Sequence, residues 1–331
     1  SDRLPVSIET VLLLLCGALD LGVLRPLVPL PLWSGLANLF WLIVVTALVF
    51  DLGPWRSTRA AAVRTAATWL AVAVLGVGST VVLVALRHTV APDQFVHDNA
   101  VLIEEGVWQL AAGRNFYAAD YRGTALQRWQ GGRFYDAAAD KWFDNPALDH
   151  YITPPFYTIA SLPVALVSQR LFGWYDQRFT HLLAYGLICI LAYTLPRLPA
   201  WRLIALEAVA LNPWQIFSLA YGTSDTFALA LVVLAVWLIS RGRPVAAAVA
   251  VALASASKQT VWPAVPFLVG YWYCHLRGAS QPVPRAVRTC LRQWWPLPVV
   301  FSAVVVPFLL WDAPAYLDDT YRYPMGLLPS S

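Results

Sequence analysis

An all-α, polytopic membrane protein is the fold class this sequence predicts, and three observations predict it. Of its 331 residues, 59% are hydrophobic and only 13% are charged, with a mean hydropathy of +0.57. Soluble domains carry about 25% charged residues. Apolar runs recur along the chain, the first three each near the roughly 17–25 residues a helix needs to cross hydrocarbon. Sixteen Trp and fourteen Tyr suit the aromatic belts of membrane interfaces. The net charge of +4 names no partner, because in such a chain the placement of Lys and Arg matters more than their sum. No feature points to nucleic acid.

The first runs cover about 8–24 and 35–51, joined by the Pro-rich turn RPLVPLPLW. A basic stretch with Arg56, Arg59 and Arg64 comes next, then a third run at about 66–87. Lys and Arg favour the cytoplasmic side, which puts Arg56–Arg64 inside and the segment from His97 outside. Residues 1–65 read as two N-terminal membrane helices with a basic cytoplasmic loop. Residues 66–331 read as one module with a large external loop at 88–177. The runs 178–196, 203–219, 226–240, 244–257, 260–276 and 294–311 then alternate in direction. Arg197, Arg202, Arg241, Arg243, Arg277, Arg285, Arg288 and Arg292 fall inside if 154–173 lies along the interface without crossing. That choice gives about nine crossings, in a bacterial-type plasma membrane. The four cysteines lie in or beside apolar runs, which argues against a disulfide framework or a zinc site. The chain opens Ser-Asp without Met, which reads as a processed or trimmed start, and shows no cleavable signal pattern.

The loop opens HDNAVLIEEGVWQLAAGRNFY and closes DHYITPPFY. Its spacing predicts a helix from Asn99 to Ala112, with Ala100, Ile103, Val107, Leu110 and Ala111 on one face and Gly113 as the stop. An aromatic-rich irregular region comes after it, with a turn at Gly131-Gly132. So many aromatics argue against disorder. The topology brings Asp98, Asp225 and Lys258 to the same outer surface. Ionisable groups at membrane depth are expensive and usually functional.

Several segments together resemble the GT-C superfamily, integral-membrane glycosyltransferases that use polyprenyl-phosphate sugars. They are HDNAVLIEEGVWQLAAGRNFYAADY, the Tyr-x-x-Pro-Pro element in YITPPFY, NPWQIFSLAYGTSDTFALAL, SASKQTVWPAVPFL and VVPFLLWDAPAYLDD. The order and spacing of these segments, over about 90–320, carry the likeness. It implies a sugar, mannose or another hexose, moved from a polyprenyl-phosphate-linked donor to a glycan, lipid or protein acceptor at the extracytoplasmic face, amid membrane lipids. Two departures stand out. Asp98 is followed by Asn99 where many members carry a second acid, which weakens the case for a metal bridged by an acidic pair. Members usually continue with further crossings, so the end at Ser331 reads as a truncated or short form.

Transfer of this kind needs a base for the acceptor hydroxyl, alignment with the anomeric carbon and positive charge at the leaving phosphate. Asp98 is the expected base, by resemblance and position, acting by single inversion. It is equally an N-cap for the helix behind it. Lys258 is the partner for the phosphate and Gln259 a hydrogen-bond donor; a lysine here also snorkels to an interface. Asp225 orients the acceptor, pairs with Lys258, or simply caps the helix at SDTFALAL. His97 and His150 bind phosphate or shape the site. Tyr117 and Tyr151 stack on sugar, or join an aromatic belt. Arg114 meets phosphate or stays solvated. No cofactor is implied; a divalent metal is possible but not indicated. No Gly-rich nucleotide fingerprint stands where a strand–helix unit forms, which disfavours a nucleotide-sugar donor. A transporter or flippase for a lipid-linked or polar solute is the competing class, though no inverted repeat is visible. A non-catalytic subunit that keeps the fold is the third.

Overall fold

The computed structural model describes residues 6–53, 58–136 and 140–327. Arg56, one of the cytoplasmic markers, lies outside the described residues. The chain folds as two compact units that interleave in sequence. Ser1–His97 with His181–Thr226 make the first, and Asp98–Thr180 with Phe227–Ser331 the second.

In the first unit, helices Ile8–Leu24 and Leu30–Leu52 pack side by side, and Thr58–Thr89 runs against them. Their order is pinned at one end. Ser7 caps the first helix by accepting from the Thr10 N–H. Its own N–H and hydroxyl donate to Asp51 at 3.0 and 2.8 Å, and Arg64 donates to the same carboxylate at 2.9 Å. The start of one helix, the end of the next and the first turns of the third therefore meet. Gly17 lets the first two helices close: a Cβ there would sit 2.2 Å from the Phe40 ring. The 58–89 helix loosens into a π turn over Val72–Gly78, where the Thr80 hydroxyl donates to the Gly76 carbonyl at 2.7 Å. The run expected at 203–219 is broken. Pro199–Ala210 and Pro213–Tyr221 meet at 51°, because Pro213 has no N–H and Asn212 caps the second piece through Trp214 N–H.

In the second unit, Asp98–Ala111 packs on Pro155–Phe172. The predicted helix is therefore present, one residue earlier. Its buried face is wider than the spacing predicts: Val101 and Leu102 are buried along with Ala100 and Ile103, whereas Ala111 is exposed. The first two turns are covered on several sides by the surrounding segments. Gly106 allows this, since a Cβ would meet the Tyr151 ring at 2.4 Å. The aromatic region contains a two-stranded antiparallel hairpin, Arg133–Asp136 with Lys141–Asp144, where irregular chain was expected. Pro244–Ser255 packs on Pro296–Trp311, and Ala264–Gly278 on Val283–Trp294. Phe156 N–H donates to Ala256 O at 2.9 Å, joining the Pro-Pro element to the segment just before Lys258.

Among the described residues three helices are long and apolar enough to cross a membrane: Leu30–Leu52, Thr58–Thr89 and Val283–Trp311. The bent pair at Asn212-Pro213 makes a fourth if it is one span. Shorter apolar helices are Arg178–Thr194, Asp225–Ser240 and Pro244–Ser255. This all-α, apolar architecture is consistent with a membrane protein.

Candidate active site

Asp98 opens its helix and is half-buried, an acid in the first turn where the helix dipole favours negative charge. Asn145 reaches it from the far side of the hairpin, its Nδ2 donating to Asp98 Oδ2 at 3.4 Å, a long bond. Asn145 is itself held by Ala147 N–H on its Oδ1 and by its own N–H on Gly132 O.

Five residues on stands His150. Its Nδ1 lies 2.8 Å from Asp319 Oδ1, and Tyr151 N–H donates to Asp319 Oδ2 at 2.8 Å. A carboxylate on Nδ1 selects the tautomer with its proton there, leaving Nε2 with a lone pair. Asp319 is 2% exposed, and burial pushes its carboxyl above the ordinary range, only partly offset by His150 and the Tyr151 N–H. It sits in a π turn, Asp318–Arg322, a form that recurs at functional sites. The Tyr323 ring stacks on His150 at 4.4 Å and 18°. Burial, then the charge of Asp98, pushes the Tyr323 hydroxyl up, so Asp98 and His150 share one neighbourhood around that ring.

Lys258 is half-buried, in extended backbone just before the turn Gln259–Val261. Gln259 Nε2 donates to Ile152 O at 2.8 Å and to Thr320 O at 3.1 Å. Its amide protons are thus engaged with the chain, which makes it a brace between the His150 segment and the π turn; the expected donation to phosphate is replaced by that structural one.

Five of the expected residues are accounted for by packing and local bonds. Tyr117 and Tyr151 are 3% and 0% exposed, packed with Phe116, Phe308 and Tyr316 behind the site, with Tyr117 Oη donating to Thr153 O. Neither offers an open ring face to a sugar, because the aromatic segments pair with one another. Arg114 is exposed and holds Gln109 at 2.6 Å. It lies past the far end of the helix that Asp98 begins, about 20 Å away at about 1.5 Å per residue, so it is not brought to Asp98. His97 and Asp225 belong to the first unit. There His97 N–H donates to Tyr221 O at 2.7 Å and its ring meets Tyr221 edge-on. Asp225 accepts from Thr223 Oγ1 at 3.0 Å and opens the helix Asp225–Ser240.

Beside Asn145 lies a polar cavity of about 350 Å³, lined by Arg122, Gln127, Gly132, Arg133, Asp144 and Leu148. Arg122 grips Asp149 with both Nη atoms, the Nη2–Oδ2 bond at 2.7 Å. Asn145, Asp319 and Tyr323 are the residues that sequence reading missed. The signal for two of them was YLDDTYRY, an acidic pair followed by tyrosines. Among the described residues, no group of three His, Cys, Asp or Glu side chains could hold a metal ion.

The arrangement offers a half-buried carboxylate, an imidazole held by a second carboxylate, a lysine and a polar cavity. The model of the family described as alpha-(1->6)-mannopyranosyltransferase, N-terminal domain, matches residues 107–274. The match takes in Asn145, His150, Lys258 and Gln259; Asp98 and Asp319 flank it. Comparison with curated proteins and with solved structures gives no match.

Proposed function

Because this chain belongs to the alpha-(1->6)-mannopyranosyltransferase family, we propose that it moves a mannosyl residue from a polyprenyl-phosphate-linked donor to a 6-hydroxyl of a mannose-containing acceptor. The family match over 107–274 is the observation that carries this reading. The GT-C-like order of segments supports the lipid-linked donor and an active site at the extracytoplasmic face. The crossing count of about nine, with Pro155–Phe172 along the outer surface, belongs to the same proposal.

The acceptor oxygen attacks the anomeric carbon as Asp98 takes its proton, and the bond from that carbon to the phosphate oxygen breaks. Polyprenyl phosphate leaves with the bonding pair. Lys258 offsets the charge it gains. His150, fixed by Asp319, accepts a hydrogen bond at Nε2 from a sugar hydroxyl, and the cavity beside Asn145 takes the acceptor's next residues. A single displacement inverts configuration, so an α product demands a β-configured donor.

Purified protein is incubated with radiolabelled polyprenyl-phosphate mannose and an α-mannoside acceptor, beside Asp98→Asn. Removing a general base costs about 10²–10⁴-fold. A variant within threefold of wild type removes Asp98 as the base. Transfer from a nucleotide sugar but not from any lipid-phosphate sugar removes the donor assignment. Cysteines at positions 175 and 200 test topology: labelling of position 200 from outside overturns the interfacial placement of Pro155–Phe172.

A further inference from the structure

The first unit hides two acids that the transfer reaction does not use. Asp20 lies in the fourth turn of Ile8–Leu24 and is 0% exposed; neither Oδ1 nor Oδ2 has a hydrogen-bond partner among the described residues. Glu207, on the helix that packs against it, is also 0% exposed. Thr68 Oγ1 donates to Glu207 Oε1 at 2.7 Å, while Oε2 has no partner among the described residues. Cys16, one turn from Asp20, lies within electrostatic reach of both carboxyls, so the two acids share one interior region.

That region is where two helices depart from regular geometry. Tyr185 lies within reach of Asp20. Its ring fills the space left by Gly76 in the π turn, where a Cβ would come within 2.6 Å of it. Its hydroxyl donates at 3.1 Å to Ala210 O. The break at Asn212-Pro213 frees that carbonyl, since Trp214 N–H is diverted to the Asn212 cap. The Ala210 carbonyl opened by the kink and the Gly76 carbonyl in the π turn are thus satisfied, whereas Asp20 keeps both carboxyl oxygens, and Glu207 one, without a partner among the described residues.

No cation faces them among the described residues. Arg64 is held by Asp51, which Ser7 also grips at the start of the first helix, about 20 Å below Asp20 at about 1.5 Å per residue. Arg87 lies about 16 Å along its helix from Gly76, where its Nε donates to Pro92 O. Arg202 lies over Tyr193. Glu9 is the further charged group that acts on Glu207. The other titratable groups on the packed helices include Asp51, Arg59, Cys189, His181, Tyr193 and Tyr221, and Arg25, at the end of the first helix, lies over Trp33. An isolated carboxylate buried without a cation costs so much that the group neutralises instead. Such acids within a membrane protein mark ion or proton paths.

We propose that Asp20 and Glu207 form a proton-binding site inside the first unit, both resting as carboxylic acids and open to modification by apolar carbodiimides. The site is independent of the transfer chemistry at Asp98. In the modification, the carboxyl O–H adds across one C=N bond of dicyclohexylcarbodiimide. Oxygen bonds to the central carbon and the proton goes to nitrogen. Acyl migration to nitrogen then fixes a stable N-acylurea, with nothing lost.

The full chain, in detergent and in liposomes, is treated at pH 7.5 with dicyclohexylcarbodiimide or with a water-soluble carbodiimide, and peptides are mapped by mass. Exposed Asp120 and Asp144 are internal references. The expected result is at least about tenfold more apolar-reagent adduct on Asp20 and Glu207 than on the references, with no such excess from the soluble reagent. Labelling no greater than at the references overturns the proposal. Protection by sodium at fixed pH also overturns it, by marking a metal-cation site. Asp20→Asn and Glu207→Gln each lose their own adduct and keep the wild-type melting temperature, since a neutral amide replaces a neutral acid. A drop of more than about 10 °C in both reveals ionised, paired acids and refutes the assignment.

Discussion

Asp319→Asn is the sharpest test of how the site is held. The side chain keeps its size but exchanges one acceptor oxygen for an NH2 group. Asp319 now accepts from Tyr151 N–H and faces His150 Nδ1, both at 2.8 Å. In the variant the amide oxygen can serve only one of them. If it keeps Tyr151 N–H, the NH2 faces Nδ1 and drives the imidazole proton to Nε2, the atom proposed to accept from the sugar hydroxyl. A hydrogen bond to a charged group contributes about 1.5–3 kcal/mol. At about 1.36 kcal/mol per decade, its loss lowers kcat by roughly 10- to 150-fold. KM for the lipid donor stays within about threefold, because Lys258 is untouched. Asp319 is a positioning residue, so the pH–rate profile must move too, because burial raises the Asp319 carboxyl and the amide of the variant does not titrate. The assay is mannosyl transfer across pH 5–9, with thermal melting as the control for folding. A variant that folds, turns over within twofold of wild type and keeps the profile refutes the reasoning.

Two further substitutions test packing and charge. Gly106→Ala places a Cβ 2.4 Å from the Tyr151 ring in a fully packed wall; overpacking of this kind costs about 1–3 kcal/mol. Gly186→Ala, with nothing within 4 Å, is the clash-free control in the same thermal melts and should hold or raise the melting temperature, since Ala favours a helix interior over Gly. The Arg122 hydrogen bond, more than the pair's charge, holds the Asp149 carboxyl below its ordinary range against the effect of burial. Its stabilisation is present above the ordinary carboxylate value and is lost as pH falls through the lower folded one. The pair is partly exposed, so the effect is about 1 kcal/mol or less. Arg122→Gln should abolish that acid-side loss in urea melts from pH 6 to 3, and an unchanged pH dependence would count against the pairing.

Much of the helical framework was legible because apolar run length and punctuation agree. The expected 226–240 and 294–311 appear as Asp225–Ser240 and Pro296–Trp311, and the stop at Gly113 takes φ +69°. The break at Asn212-Pro213 falls inside a run expected to be continuous, because run length alone does not register an Asn-Pro cap. The hairpin was not, since four-residue strands rich in charge and aromatics carry no clear two-residue alternation. Tyr117 and Tyr151 were misread for a different reason: a count of aromatics says nothing of which rings pair with one another. The role of Asp319 was not legible, although the acid itself stands in VVPFLLWDAPAYLDD, because its partner His150 is 169 positions away. Lys258 and Asp98 were readable as candidates from type and position, whereas the tie from Gln259 to Thr320 needs the fold.

The π turn at Asp318–Arg322 closes with Tyr323 N–H on Asp318 O at 2.8 Å, a span of five residues where a regular helix spans four. One surplus residue therefore sets the angular phase of the turn that carries Asp319, and of everything after it. Deleting a single residue, such as Thr320, would rewind the turn to regular pitch. The chain beyond the deletion would rotate by about 100°, carrying Tyr323 off the His150 ring. The site is in this sense an insertion made permanent. Its geometry is stored in a count of residues as much as in their identities.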